Sequence, residues 1–245
     1  MLRIERSFVT ATLAAATLLA TFNSNAGVVL SGTRVVFPAD KREVSMRLQN
    51  QGDVPSLVQA WIDRGEGKPA ASTAAAVPFA IRPPIFRIDG GRSQVLRIVH
   101  TGESMPQDRE SLYYLNVLDV PANKTSAGSA SPELRLIVRT QLKLFYRPTG
   151  LSAQAAANAP KQLQWSVTRH GQEWALEARN PTPYHVAISN ISAGTKVKAD
   201  IAAPLATTTY RLTQAQYNAL GSQVTFDYTN DHGASHSVSA PLVRP

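Results

Sequence analysis

Short runs of alternating apolar and polar residues, each closed by a turn signal, set the strongest limit on how this chain can fold. Val44, Met46 and Leu48 alternate with Ser45 and Arg47, and the run ends at Asn50-Gln51-Gly52-Asp53. A period of two over four to eight residues describes a strand with one buried face. The same reading predicts strands over 28–37, 56–62, 94–99, 112–120 and 131–148. Residues 79–86 contain Pro83-Pro84, which suits only an edge position. Further on, strands are expected over 163–168, 174–178, 184–191, 224–228 and 236–243. Residues 210–220 read as a strand running into a short helix. Regularly spaced short strands and turns make this an all-β chain of the sandwich type.

The first 26 residues read differently. Arg3 and Arg6 precede an apolar run from Phe8 to Ala20, and Ser24-Asn25-Ala26 places small residues around a cleavage point before Gly27. This is the layout of a secretory leader. A membrane anchor is the bland alternative, but the run is shorter than the roughly 20 residues a spanning helix needs and is diluted by Thr10, Thr12 and Thr17. A soluble mature protein is expected, with no stable membrane insertion. Removing 26 residues from 245 leaves 219, enough for two domains of ~100 residues each. Residues 149–161, rich in Ala, Gln and Asn, read as a linker carrying one helical turn. The expected organisation is therefore a leader at 1–26, a first β domain at 27–148, the linker, and a smaller β domain at 162–245.

Composition narrows the function classes. The formal charge of +8 falls to +7 once Arg3, Arg6 and Glu5 are removed, which points to a partner with acidic groups or simply to solubility. Nucleic acid is a poor partner, since no block of five or six Lys/Arg occurs and secretion removes the chain from most nucleic acid. The absence of cysteine excludes thiolate nucleophiles, thiolate metal sites and disulfides. No two glycines stand four apart, so a Gly-x-Ser-x-Gly elbow is missing, and Gly65-Glu-Gly67 lacks the third glycine of a dinucleotide turn. His232 and His236 have a ligand-like spacing but no partner pair nearby, so neither a metal nor another cofactor is expected. No catalytic constellation can be assembled, and an enzyme is not the expected reading. Trp61, Trp165 and Trp174 fall in strand patterns and are expected to fill cores. Residues 103–110 read as a charged surface turn, with Glu110 either part of it or paired to a distant cation. Asn123-Lys124-Thr125 fits a glycosylation triplet, which is common by chance.

The run "SPELRLIVRTQLKLFYRP" at 131–148 combines an apolar ladder (Leu134, Leu136, Val138) with four cations, Arg135, Arg139, Lys143 and Arg147. Leu134, Leu136 and Val138 could belong to the domain's own core. Ile137 adds an apolar residue on the opposite face, which also fits a strand buried on one side by its host and on the other by a guest. Lys143 has the opposite parity to Val138. A regular strand would point it to the other face, so either a bulge intervenes or the strand's two faces serve different purposes.

Seven stretches, in order, resemble the periplasmic pilus-assembly chaperones, the PapD-like family. They are "GTRVVFP" at 32–38, "PSLVQAWID" at 55–63, "RPPIFRIDGGRSQVLRI" at 82–98, "MPQDRESLYYLNVLDVP" at 105–121, "LKLFYRP" at 142–148, "NPTPYHVAIS" at 180–189 and "NDHG" at 230–233. PapD is a standard example of the immunoglobulin-like sandwich, and pilin donor-strand complementation of strand addition. The resemblance implies two immunoglobulin-like domains in a boomerang arrangement. It implies a protein that binds pilus subunits, lends each the strand it lacks, and passes it to an outer-membrane usher. Matched to the family's motifs, Leu134, Leu136 and Val138 become the donor residues. Arg34 and Lys143 become the anchor for a subunit's terminal carboxylate. Glu110, Arg147 and Asp231 become an ion-pair cluster that sets the angle between domains.

The short loop of 121–133 without a Cys pair resembles the branch serving rod-like pili. Arg135 and Arg139 receive no role beyond keeping an exposed edge from pairing with itself. Self-association of the free protein through that edge stays open. The competing reading is a secreted immunoglobulin-like adhesin or ligand-binding module, which would need neither the cation pair nor a basic donor strand.

Overall fold

A computed structural model describes residues 27–65, 77–123 and 136–245. The expected leader, the alanine-rich run 71–76, Lys124 and Thr125 of the triplet, Leu134 and Arg135 lie outside the described residues. Nine strands form the first domain: β1 (Val28–Leu30), β2 (Arg34–Pro38), β3 (Glu43–Asn50), β4 (Ser56–Asp63), β5 (Phe79–Arg82), β6 (Ile85–Ile88), β7 (Ser93–His100), β8 (Ser111–Pro121) and β9 (Val138–Arg147). They make two sheets, ordered β1-β3-β7-β5 and β2-β9-β8-β4-β6. Alternate residues turn inward between them, among them Phe37, Leu48, Val58, Leu96, Leu115 and Leu144.

The strand expected over 28–37 is two strands. Ser31-Gly32-Thr33 interrupts it, and the chain crosses from one sheet to the other there. Ser31 N still donates to Arg47 O at 2.9 Å in the first sheet, whereas Arg34 opens the pairing with β9 in the second. Pro83-Pro84 does the same for β5 and β6, which become edge strands of opposite sheets. Proline has no N–H to give a ladder, so a break at an edge is where the pair fits.

The second domain begins after a short helix, α1 (Ala153–Asn158), whose first turn is capped by Ser152 Oγ accepting from Ala155 N. Its strands are β10 (Gln164–His170), β11 (Glu173–Asn180), β12 (Val186–Ser192), β13 (Lys196–Val197), β14 (Ile201–Ala202), β15 (Ala206–Leu212), β16 (Gln223–Thr229) and β17 (Ser235–Val243). Helix α2 (Gln214–Asn218) follows β15 directly, started by a capping box between Thr213 and Gln216. Strand β17 pairs with β16 over most of its length. At Leu242 and Val243 it turns to run parallel beside β10, which joins the two faces of the sandwich. The core is built on Trp165, whose ring lies 5.2 Å from Phe226 and 6.1 Å from Tyr210. β13 and β14 have two residues each, too few for alternation to show in the sequence.

Of the three tryptophans expected in cores, Trp165 is at the centre of one, Trp174 lies at the edge of the same one, and Trp61 is in neither. Trp61 is out of phase with Val58, Ala60 and Ile62, which are buried, so it lies on the outer face of β4. Trp174, in phase with the buried Leu176 and Ala178 of β11, packs against the core from its edge and stacks on Tyr217 of α2 at 3.9 Å.

Candidate functional site: an open strand edge beside two cations

Strand β9 is paired on one side with β8 along its whole length, from Val138 opposite Asp119 to Tyr146 opposite Ser111. On its other side β2 covers only Lys143 to Arg147. Over Val138–Leu142 that second edge is open, and its backbone groups have no partner strand among the described residues. Just before it, Leu136 and Ile137 are not in a strand, and the strand predicted from 131 begins at Val138. Leu136 is 64% exposed and Val138 51%, while Leu142, Leu144 and Tyr146, on the same face, are core. The apolar stripe of the sandwich thus continues past the point where the sandwich covers it. An exposed apolar edge is a template for another strand.

The cation pair stands where the open edge ends. Arg34, the first residue of β2, lies directly opposite Lys143 in the parallel pairing. The β8–β9 register is unbroken, so no bulge turns Lys143 toward the ladder. Lys143 shares the outer face with Arg139 and Arg147, and the strand's two faces serve different contacts. Arg34 Nη1 donates to Thr229 O of the second domain at 2.6 Å, and Arg34 Nε is buried without a partner among the described residues. Burial, followed by the positive charge of Arg34, pushes the Lys143 ammonium below its ordinary value, with Asp200 of the second domain partly opposing. Burial also lowers the Arg34 guanidinium, against the pull of Asp231. Two partly desolvated cations with a free buried N–H are a ready site for a carboxylate.

Where β9 ends, the domains are joined by charge. Arg147 Nε donates to Glu110 Oε1 at 2.8 Å, and its two terminal nitrogens reach Asp231 at 2.8 and 3.1 Å. Glu110 Oε2 accepts from His185 N at 2.8 Å, and Glu110 N donates to Pro183 O at 2.9 Å. Glu110 is 3% and Arg147 6% exposed, so Glu110 belongs to no surface turn. Burial alone would lower the Arg147 guanidinium, but its bonds and charges with Asp231 and Glu110 outweigh that and raise it. Asp231 is presented by the turn between β16 and β17, where Asn230 Oδ1 accepts from His232 N and Ala234 N. Gly233 in that turn has φ +87, and any Cβ there would strike Thr33 Oγ1. The turn therefore comes against the first domain one residue before Arg34.

Arg139, left without a firm role by the sequence, belongs to a network on the outer face of β4, β8 and β9. Its Nε and Nη2 donate to Asn116 Oδ1 at 3.1 and 2.7 Å, and Gln141 Nε2 donates to the same oxygen at 3.0 Å. Asn116 Nδ2 in turn donates to Asp63 Oδ2 at 2.9 Å, and the Arg139 guanidinium lies over the Trp61 ring at 5.2 Å. The network braces β9 at the stretch where its other edge is open. The signal was present in strand parity, since Trp61, Asp63, Arg139 and Gln141 all fall on outward positions. His232 and His236 flank the β16–β17 turn, with His236 Nε2 2.9 Å from Asn230 Nδ2, and no grouping among the described residues suits a metal ion.

Two family models match the chain in succession: the pili and flagellar-assembly chaperone PapD N-terminal domain over residues 27–152, and the pili assembly chaperone PapD C-terminal domain over 158–240. The probable fimbrial chaperone YadV of Escherichia coli K12 is 36% identical over 227 residues, spanning 90% of this chain and 92% of that protein. Among solved structures, the Pseudomonas aeruginosa CupB2 chaperone matches with a TM-score of 0.71 at 32% identity, over 87% of this chain and all of that one. A chain from the Salmonella enterica SafA pilin in complex with the SafB chaperone matches with a TM-score of 0.69 at 26% identity, over 88% of this chain and 96% of that one. Likeness of this extent runs through both sandwiches and the junction between them, and the chain belongs to the PapD-like family of pilus-assembly chaperones.

Proposed function

We propose that this chain acts in the periplasm, after loss of its leader, as a chaperone that binds, folds and caps pilus subunits by lending them the open edge of β9. It then delivers each subunit to an outer-membrane usher. The observation that carries the reading is the coincidence of three features at one place: an unpaired backbone edge over Val138–Leu142, an exposed apolar ladder leading into it, and two cations where it stops. A SafA-like pilin supplies the complement, an extended segment lacking a neighbour.

The anchor fixes the direction of the guest. A terminal carboxylate held by Arg34 and Lys143 places the guest's last residue at the Lys143 end of the open edge. The guest strand then approaches that end in the direction in which β9 itself runs, and pairs with it in parallel. It continues the line of β2, which is also parallel to β9 and begins at Arg34. Leu134, Leu136 and Val138 fill the guest's groove, at ~1.5–3 kcal/mol per fully buried side chain before ordering costs. Glu110, Arg147 and Asp231 hold the two domains at a fixed angle, so that residues of the second domain border the same cleft. Nothing in this reading calls for catalysis, only for binding and release.

Leu136→Glu is expected to abolish protection of a bound pilin against proteolysis while leaving the chaperone's melting temperature unchanged, because Leu136 contributes nothing to its own core. A Leu136→Glu chaperone that still protected the subunit would show that the donor register is wrong.

A further inference from the structure

Asp119 holds the one buried carboxylate oxygen without a hydrogen-bond partner among the described residues. It lies near the end of β8, opposite Val138, and is 6% exposed. Its Oδ2 accepts from Val28 N at 2.9 Å, and its Oδ1 has no donor. A buried carboxylate held by a single amide is costly, and it calls for a further donor or a counter-charge.

Gly27 is placed to bring a counter-charge to this carboxylate, at Oδ2. Its carbonyl is fixed by Gln51 N at 3.1 Å and the next amide by Asp119, so its Cα is held against the carboxylate. A Cβ built on Gly27 would lie 2.5 Å from Asp119 Oδ2. In a chain that starts at Gly27, the amino nitrogen can rotate about the Cα–C bond by a third of a turn into that same tetrahedral position. A slight further adjustment gives the separation of an N⁺–H···O⁻ contact, about 2.8 Å.

We propose that Asp119 is the receptor for the α-ammonium of Gly27, which comes into being when the leader is cut after Ala26. The inference rests on the secreted reading above. Hydrolysis by a leader peptidase breaks the Ala26–Gly27 peptide bond. Water gives its oxygen to the Ala26 carbonyl, leaving a carboxylate there and an ammonium on Gly27. Before the cut that nitrogen is a neutral amide with one proton, tied to Ala26. The precursor therefore holds a buried carboxylate whose one donor among the described residues is the Val28 amide, and the processed chain adds a counter-charge at Oδ2 that arises only after export. Because Asp119 faces Val138 across the β8–β9 pair, the ion pair also fastens the outer end of the open edge.

The test compares two chains released from a cleavable fusion, one starting at Gly27 and one retaining Ala26, which displaces the ammonium by one residue. For the Gly27 chain the α-amino pKa, followed by NMR of the labelled amine, is expected about one unit above the usual ~7.7–8.0. Its melting temperature is expected a few degrees above that of the Ala26 chain. Asp119→Asn, which keeps an acceptor for Val28 N, is expected to erase both differences. An ordinary amino pKa together with equal melting temperatures overturns the ion pair. Mass spectrometry of the full-length chain recovered from a bacterial periplasm supports the processing step if the protein begins at Gly27. A different first residue overturns the proposal, while pilin capture by the same sample separately decides the chaperone reading.

Discussion

Lys143→Met and Arg34→Ala are each expected to reduce recovery of a co-expressed pilin to background while the chaperone itself stays folded. Truncating one partner of a buried, hydrogen-bonded charge pair costs about 2–5 kcal/mol, or roughly 30- to several-thousand-fold in affinity. Neither Arg34 nor Lys143 belongs to either core, so the fold is expected to survive the loss of either charge. Lys143 is held below its ordinary value by burial and by Arg34, so its protonated form is disfavoured in the folded chain. The penalty is fully present at pH values below the lowered folded pKa. It is relieved as pH rises from there toward the unfolded value of ~10.4, because the unfolded chain binds more protons in that window. Lys143→Met keeps the apolar stem and removes the charge. Its melting temperature should equal or exceed that of the wild type at neutral pH, with the gap narrowing as pH rises through the window. Undiminished co-purification of a pilin with both variants would remove the anchor from the mechanism.

Strand parity made much of this legible, and it failed where a strand leaves its sheet. The alternation of β3, β4 and β8 in the sequence is the alternation of burial in the fold. Residues 28–37 looked like one strand because Ser31-Gly32-Thr33 contains no proline or Asn-Gly to announce a crossing; what ends the first strand is a long-range choice of partner. Trp61 was expected in the core by residue type, although its parity already set it apart from Val58, Ala60 and Ile62. The parity of Lys143 left two outcomes open, a bulge or two faces with different uses, and the unbroken register favours the second: Leu136 and Val138 extend the core stripe, whereas Lys143 stands with Arg139 and Arg147 on the other side. Glu110 was hidden for a different reason. Its neighbours Asp108 and Arg109 pair with each other in solvent, and nothing local separates it from them. Only the arrival of Arg147, 37 positions later, explains its burial.

Arg147→Leu is expected to have the largest effect on the chaperone itself. Glu110 would keep its contacts to the second domain, among them the amide of His185 and the carbonyl of Pro183, but lose its guanidinium partner. Breaking a buried ion pair from one side costs about 3–5 kcal/mol, because an uncompensated charge is left behind. Glu110→Gln combined with Arg147→Leu should recover much of that loss, since the amide needs no counter-charge and can still accept from His185. Asp231→Asn should behave differently. Asp231 is the more exposed partner, with its side chain 30% exposed against 2% for Glu110. Its loss is expected to leave the melting transition almost unchanged while loosening the junction, which small-angle scattering would register as a broader spread of interdomain distances. Loosening moves Thr229, and with it the carbonyl that steadies Arg34, away from the anchor. Pilin affinity should therefore fall in Asp231→Asn although neither the ladder nor the cation pair has been touched. If scattering and affinity both stayed at wild-type values, the cluster would be a stabiliser of the first domain alone and the domain angle would be set by the α1 linker.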